Sequence, residues 1–490
     1  MNILINEQHA IGERLIDIIN FIESEYSGKL KVDNYYVLIS QKKHYDRIKR
    51  SMPPQNTKII YIYDGWHPGT VGKSEIMKIR ELEKRIRQKD MNLYRFALLD
   101  IARGDLLPDE KKIDWAIHWH INYFNNFFNA NKIDIVIGFV PETLSNFCMY
   151  ALAKDRGIPC CFVENSRIWN QIFFFDNYFA GKEGVAKKYD ELLSRPLSKE
   201  ERRSAERLLE EFEGTAVPEY IAKKLQVRSR DSMGIIKKVL MLPFKLIARE
   251  EANEEPYYRD NKIAYYIQLF RSRLMSFIIK KDIFRLFETP KAEDFFYFPL
   301  HYQPETSTTF FAPHYENYIE VIKNIAISLP FGFKLYVKEH PSMAIMGFHP
   351  VNYYKEIKKI PNVRLIKLSV PSKQLIKDSK GVVVITGTTA FEAILMQKPA
   401  IIIGDVVFAR AEGLSIKVNG YAELYDAFKK ALEMVPNKER LLKYLTAVSS
   451  VSYSGLNLLQ KFQLGEEDYI NNYRRLAKIL TDKILENVKR

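Results

Sequence analysis

The chain has 490 residues, of which 47% are hydrophobic and 27% charged, and carries a net charge of +14. That length exceeds what one compact core holds and predicts two domains with room for a third segment, while the composition excludes a disordered chain. The positive balance implies an anionic partner, yet no helix-turn-helix, zinc-finger or RNA-recognition signature accompanies it, so nucleic acid is not the expected one.

Cys148, Cys160 and Cys161 have neither metal-ligand spacing nor the pattern of a disulfide framework, which fits a reducing cytoplasm. Residues 1–10 lack a basic region followed by an apolar core, so no signal peptide is expected. No uninterrupted apolar run reaches the roughly 18 residues of a membrane span.

In chain order, Met1 to Asn6 reads as an opening strand, with a polar loop containing His9 and a helix from about Glu13 to Glu25. His9 is a candidate for ligand binding. Further strands are read at Tyr35 to Ile39 and Lys58 to Ile62, the second leading into the turn Asp64 to Gly69. Ser74 to Gln88 reads as a solvated helix and Asp114 to Ala130 as an aromatic-rich helix packed on a sheet. Ile133 to Val140 is the clearest strand of this half and ends in Pro141-Glu142-Thr143. Helix Leu144 to Asp155 follows, then strand Cys160 to Val163 with Glu164-Asn165-Ser166-Arg167 at its end. A carboxylate at a strand end suits the part of a general base. Glu142 is the first candidate and Glu164 the second, although Glu142 also suits a helix N-terminus electrostatically. Asn165 and Arg167 are candidates for binding an acidic ligand.

Residues 185–290 differ in texture. Ser198-Lys199-Glu200-Glu201 has the form of a capping box opening a charged helix. Tyr220 to Arg249 interleaves Lys and Arg with large apolar residues, the pattern of a peripheral membrane element or of an interdomain helix with one solvated face.

Beyond this, Phe295 to Leu300, Lys334 to Val337, Val363 to Leu365, Gly381 to Ile385 and Ala400 to Ile403 read as buried strands alternating with helices, which predicts a parallel, doubly wound sheet. Ligands of such sheets bind outside the carboxyl ends of the strands. Lys338-Glu339-His340-Pro341 and Thr386-Gly387-Thr388-Thr389 stand just past two of those ends. The second loop turns a strand into a helix N-terminus, an anion site by its unpaired N–H groups and dipole. Glu392, about one turn into that helix, suits sugar hydroxyls. The plainer alternatives are a threonine N-cap, a dipole-favoured glutamate and a structural histidine. Glu467 to Arg490 reads as a long basic helix.

Tyr336 to Pro341, Ile360 to Val363, Ile385 to Thr388, Phe391-Glu392-Ala393 and Gln397-Lys398-Pro399 together resemble bacterial capsule polysaccharide biosynthesis proteins, which are similar to Kdo-transferase-like glycosyltransferases of the GT-B fold. The resemblance spans roughly residues 295–405 and is weaker over 130–180. It implies an α/β chain of two Rossmann-like domains facing a cleft, with a helical insert. The expected divisions are an acceptor domain over 1–184, a basic helical segment over 185–290, a nucleotide-sugar domain over 291–465 and a terminal helix over 466–490 packing back on the first domain. It also implies donor-phosphate roles for His340, Thr386, Gly387, Thr388 and Glu392, with Gln303, in the polar loop His301 to Thr306 after the strand Phe295 to Leu300, near the nucleotide; Lys338, Pro341 and Thr389 are further donor-site candidates from the same two loops. In an inverting transfer Glu142 or Glu164 would be the base for the acceptor hydroxyl, and His9, Asn165 and Arg167 would bind the acceptor, the last two an acidic sugar.

The expected activity is transfer of a sugar from a nucleotide-activated donor to a surface or capsular polysaccharide or its lipid-linked acceptor, without a required metal or other cofactor. CMP, UDP and GDP remain open, with the resemblance pointing to CMP-activated acid sugars such as Kdo. The competing readings are a glycerophosphate-type polyol-phosphate transferase and a non-catalytic assembly or export partner. The expected location is the cytoplasm, at the inner face of the membrane if residues 220–249 bind an anionic surface.

Overall fold

The computed structural model describes residues 1–7, 12–67, 69–85, 92–103, 110–139, 142–166, 171–176, 181–214, 285–302, 306–341, 343, 349–454 and 466–488. The basic stretch Tyr220 to Arg249 therefore lies outside the described residues. In chain order the strands are β1 (Asn2–Glu7), β2 (Asn34–Ile39), β3 (Thr57–Tyr61), β4 (Ile135–Phe139), β5 (Cys160–Asn165), β6 (Gln171–Phe175), β7 (Phe295–Pro299), β8 (Lys334–Lys338), β9 (Val363–Ile366), β10 (Gly381–Val384), β11 (Ala400–Ile402), β12 (Ser415–Lys417) and β13 (Tyr453–Ser454). They build two sheets in two compact units. The described parts of Met1–Gly181 and Val451–Arg490 form one unit, and those of Lys182–Arg249 and Asn261–Ser450 form the other.

In the first unit the strand order is β13-β6-β5-β4-β1-β2-β3, parallel from β3 to β5 and antiparallel at β6 and β13. Ile3, Ile5, Val37, Ile39, Ile135 and Ile137 share one buried face with helix Gly12–Tyr26. Helix Glu466–Val488 lays Tyr473, Leu476, Ala477, Leu480 and Ile484 on the same cluster. Those positions recur three and four apart, the stripe that an amphipathic helix buries. Among the described residues no helix is long and apolar enough to cross a membrane.

In the second unit the order is β12-β11-β10-β7-β8-β9, with every pairing parallel. Gly381–Val384 is buried along its whole length, as a strand covered by helices on both faces must be. Phe296, Phe298, Leu335, Val337, Val383 and Ile401 pack on one face against Val321, Ile322 and Ile325 of helix Tyr318–Ile327 and Tyr354 and Ile357 of helix Val351–Lys358.

The capping box forms as expected. Ser198 Oγ accepts the Glu201 N–H at 3.1 Å and Glu201 Oε2 accepts the Ser198 N–H at 2.8 Å, opening helix Lys199–Gly214. Arg195 adds a two-pronged pair to the same carboxylate, at 2.5 and 2.8 Å. Ser198→Ala should therefore lower stability by about 1 kcal/mol, measured by urea unfolding followed by circular dichroism, and an unchanged midpoint would show that the box is redundant with the arginine.

Candidate functional site

The carboxyl ends of four neighbouring strands, β10, β7, β8 and β9, carry the polar side chains of the second unit. Period-2 alternation along β8 sends Leu335 and Val337 into the core and turns Tyr336 and Lys338 to the opposite face. Lys338 is only 4% exposed. Its Nζ donates to Ser372 Oγ at 3.0 Å, and the Tyr297 hydroxyl of β7 donates to that same oxygen at 3.4 Å. Ser372 opens helix Ser372–Asp378 just after β9, so a residue from the next strand end completes the group.

Burial pushes the Lys338 ammonium down to about 8, opposed by the negative charge of Glu392. Glu392 lies half-buried on helix Thr389–Leu395. Burial raises its carboxyl above the usual carboxylate range, against the pull of Lys373 and Lys338. Lys373 donates to the Phe212 carbonyl at 3.2 Å and stands 4.5 Å over the Phe212 ring, which ties the end of helix Lys199–Gly214 to this edge.

The Thr386 loop is more internal than the sequence suggests. Thr386 is buried, its N–H donates to His301 Nε2 at 3.3 Å and its hydroxyl donates to Ser307 Oγ at 3.2 Å. Accepting that N–H requires the lone pair on Nε2, so the His301 proton sits on Nδ1. Gly387 passes so close to the ring that a Cβ would meet His301 Cε1 at 3.3 Å. Thr388 is exposed and makes no side-chain capping bond, while Thr389 is half-buried as the first residue of the helix. His340 and Pro341 are half-buried, and the His340 ring centroid lies 6.3 Å from that of Tyr302.

One edge thus brings together Lys338, His340, Pro341, Thr386, Gly387, Thr388, Thr389 and Glu392. Sequence reasoning missed Tyr297, Ser307, Ser372 and Lys373, and placed His301 in a polar strand-end loop without giving it a role. The signal for two of these was present, because Pro371-Ser372-Lys373 follows a buried strand as Lys338 to Pro341 does. Gln303 lies outside the described residues.

In the first unit, Glu142 stands half-buried immediately before Thr143, whose hydroxyl oxygen accepts the Asn146 N–H at 3.3 Å and caps helix Leu144–Asp155. Asn6, near the end of β1, donates to Asn146 Oδ1 at 2.5 Å in the buried interior. The expectation for Glu164 and Asn165 is corrected. Both belong to β5 rather than to a loop, opposite Phe173 and Ile172, because the antiparallel β6 prolongs the ladder. His9 and Arg167 lie outside the described residues.

Among the described residues no cluster of three His, Cys, Asp or Glu side chains has metal-binding geometry. The donor set of the second unit is instead two lysines, hydroxyls and one carboxylate, a combination suited to an anionic ligand that also carries hydroxyl groups.

Residues 205–454, more than half of the chain and including every residue of this edge, match the family model described as capsule polysaccharide biosynthesis protein. The chain belongs to the capsule polysaccharide biosynthesis family. Among solved structures, this family member is similar to KpsC of Thermosulfurimonas dismutans, a beta Kdo 2,7 transferase, at 12% identity over 79% of this chain and 97% of that one, with a TM-score of 0.33. It is similar also to UDP-GlcNAc 2-epimerase of Methanocaldococcus jannaschii, solved with UDP-GlcNAc and UDP, at 13% identity over 98% and 99% with a TM-score of 0.32. A glycosyltransferase of Rickettsia africae matches at 9% identity over 99% of both chains, with a TM-score of 0.30. Likeness at that level carries no functional argument, so the function of this capsule-family chain is argued from its own residues. Among curated proteins none matches it.

Proposed function

We propose that this protein is a glycosyltransferase that moves a sugar from a nucleotide-activated donor to a growing capsular or surface polysaccharide or its lipid-linked acceptor. The observation that carries the reading is the convergence of Lys338, Ser372, Lys373 and Glu392 from three successive strand ends, inside the segment that matches the family model.

In this reading Lys338 and Lys373 neutralise phosphate charge as the nucleotide leaves, with His340 as a further donor or general acid. Both lysines already face Glu392 across a low-dielectric site, where a fixed cation acts far more strongly than in water. Glu392 accepts hydrogen bonds from sugar hydroxyls beside that phosphate. Gly387 and Thr388 border the same space. Two lysines supply the positive charge that a divalent ion would otherwise bring, so transfer is proposed to proceed without one. Glu142 is proposed as the base that takes the acceptor proton. The donor proposed first is a CMP-activated acid sugar such as CMP-Kdo.

Thermal unfolding of the full chain with CMP, CDP, UDP and GDP, each with and without magnesium, tests this. A ligand at about 100 times its Kd adds roughly 2.7 kcal/mol, so the bound nucleotide should raise Tm visibly and His340→Ala should diminish the shift. Stabilisation by CMP without magnesium supports the acid-sugar donor. Stabilisation by UDP or GDP redirects the donor, and no response to any nucleotide overturns the reading.

A further inference from the structure

Glu339 stands between two residues assigned to the donor edge, and its side chain goes the other way. It continues the inward row of Leu335 and Val337 toward helix Val351–Lys358 and is 1% exposed. A carboxylate in a core row is costly unless it is hydrogen-bonded. Here Oε2 accepts the Tyr354 hydroxyl at 2.6 Å and Oε1 accepts the backbone N–H of His340 at 2.8 Å. The Tyr354 hydroxyl is also bonded to the backbone of His349. One buried carboxylate therefore holds the chain where it leaves β8 and, through Tyr354, where it enters the next helix.

We propose that Glu339 is a positioning residue whose buried carboxylate fixes the His340-Pro341 turn and so sets where the His340 imidazole stands on the donor edge. This rests on the donor-site reading of His340. The function required of Glu339 is acceptance at both oxygens, which only the ionised form provides. A protonated carboxyl keeps an acceptor on one oxygen but must donate through the other, so the Tyr354 hydroxyl can no longer donate to it and the pair has to rearrange.

Burial raises the Glu339 carboxyl to about 7, with the two hydrogen bonds acting against it. The other titratable groups around it are the Tyr353 and Tyr354 hydroxyls of the packed helix, both pushed up, His349, pushed down by burial, and His340 itself. The paired state is thus complete above about 7 and is lost as pH falls through that value.

The test uses the full chain with Glu339→Gln, Tyr354→Phe and His340→Ala. Binding of the nucleotide that stabilises the wild type, from CMP, CDP, UDP and GDP, is measured by calorimetry at pH 8. The His340 ring resonances, identified by their loss in His340→Ala, are followed from pH 5.5 to 8.5. Glu339→Gln and Tyr354→Phe should each weaken binding about tenfold, the effect of one lost hydrogen bond. In the wild type the His340 resonances should show, besides the titration of the ring itself, a second inflection near 7 that is missing from Glu339→Gln. If His340→Ala weakens binding while both other variants bind as the wild type does, the positioning role is wrong and the donor-site reading stands. If His340→Ala has no effect, the donor-site reading fails, and the resonances then decide the positioning role by themselves. Unmoved His340 signals in both variants overturn it. Should Glu339→Gln not fold, Tyr354→Phe, which keeps the carboxylate and the ring, carries the same measurements.

Discussion

Lys338→Met is expected to weaken nucleotide binding roughly 100-fold, the scale of a lost charge-assisted contact in a buried site, while leaving the protein at least as stable at pH 7. The two effects separate because of what opposes what inside the site. Desolvation is the larger influence on Lys338 and the attraction of Glu392 the smaller, so the ammonium is a net cost to the fold. Methionine fills similar volume without that cost, and Lys373 still faces Glu392.

The sign with pH follows from the same lowering. Between about 8 and the ordinary value of 10.5 the unfolded chain binds a proton that the folded chain has released, so stability attributable to Lys338 rises as pH rises through that window. Its span is at most about 3 kcal/mol. Urea unfolding of wild type and variant from pH 7 to 10.5 should show the difference between them narrowing, and parallel curves would mean that Lys338 is not desolvated in solution.

Gly404→Ala should be the most damaging small substitution. A Cβ on Gly404 would sit 2.7 Å from the Ile385 carbonyl oxygen and 3.1 Å from that of Phe311, and would also press on the methyl of Thr386. Two of those atoms are backbone and cannot swing away, so the expected loss is about 1 to 3 kcal/mol from overpacking. Because Thr386 is one of the atoms displaced, nucleotide binding should fall in the same variant. Thr386→Ser, which deletes the methyl and keeps the hydroxyl on Ser307, should recover part of both losses when combined with Gly404→Ala. Calorimetric unfolding and binding of the two single variants and the double variant form the cycle. Strict additivity would show that the clash is with the backbone alone.

Much of the fold was legible because it rests on neighbours in the chain. The alternation of short β-branched runs with helical segments announced a parallel sheet after Phe295, and the Ser198 to Glu201 spacing announced a helix start that forms with both reciprocal bonds. Lys338 and Thr386 stood out because each follows a buried run directly. The reading was weakest where an element is made by its partner. Glu164 and Asn165 looked like a strand end, and became strand because β6 supplies the other half of the ladder.

What the sequence determined by itself was which residues stand at strand ends in the parallel sheet after Phe295, since that depends on spacing of two and of three to four residues. Tertiary structure alone decided which ends are neighbours. β9 lies beside β8, so Ser372 reaches Lys338 from 34 residues away. Thr386 finds its acceptor in His301, 85 residues earlier, because β10 pairs with β7. It also decided that Lys338 and Glu339, adjacent in the chain, are buried on opposite faces of one sheet with different partners. The physical reason is that a buried polar group takes its character from whatever satisfies it, and across a parallel sheet those partners come from distant segments.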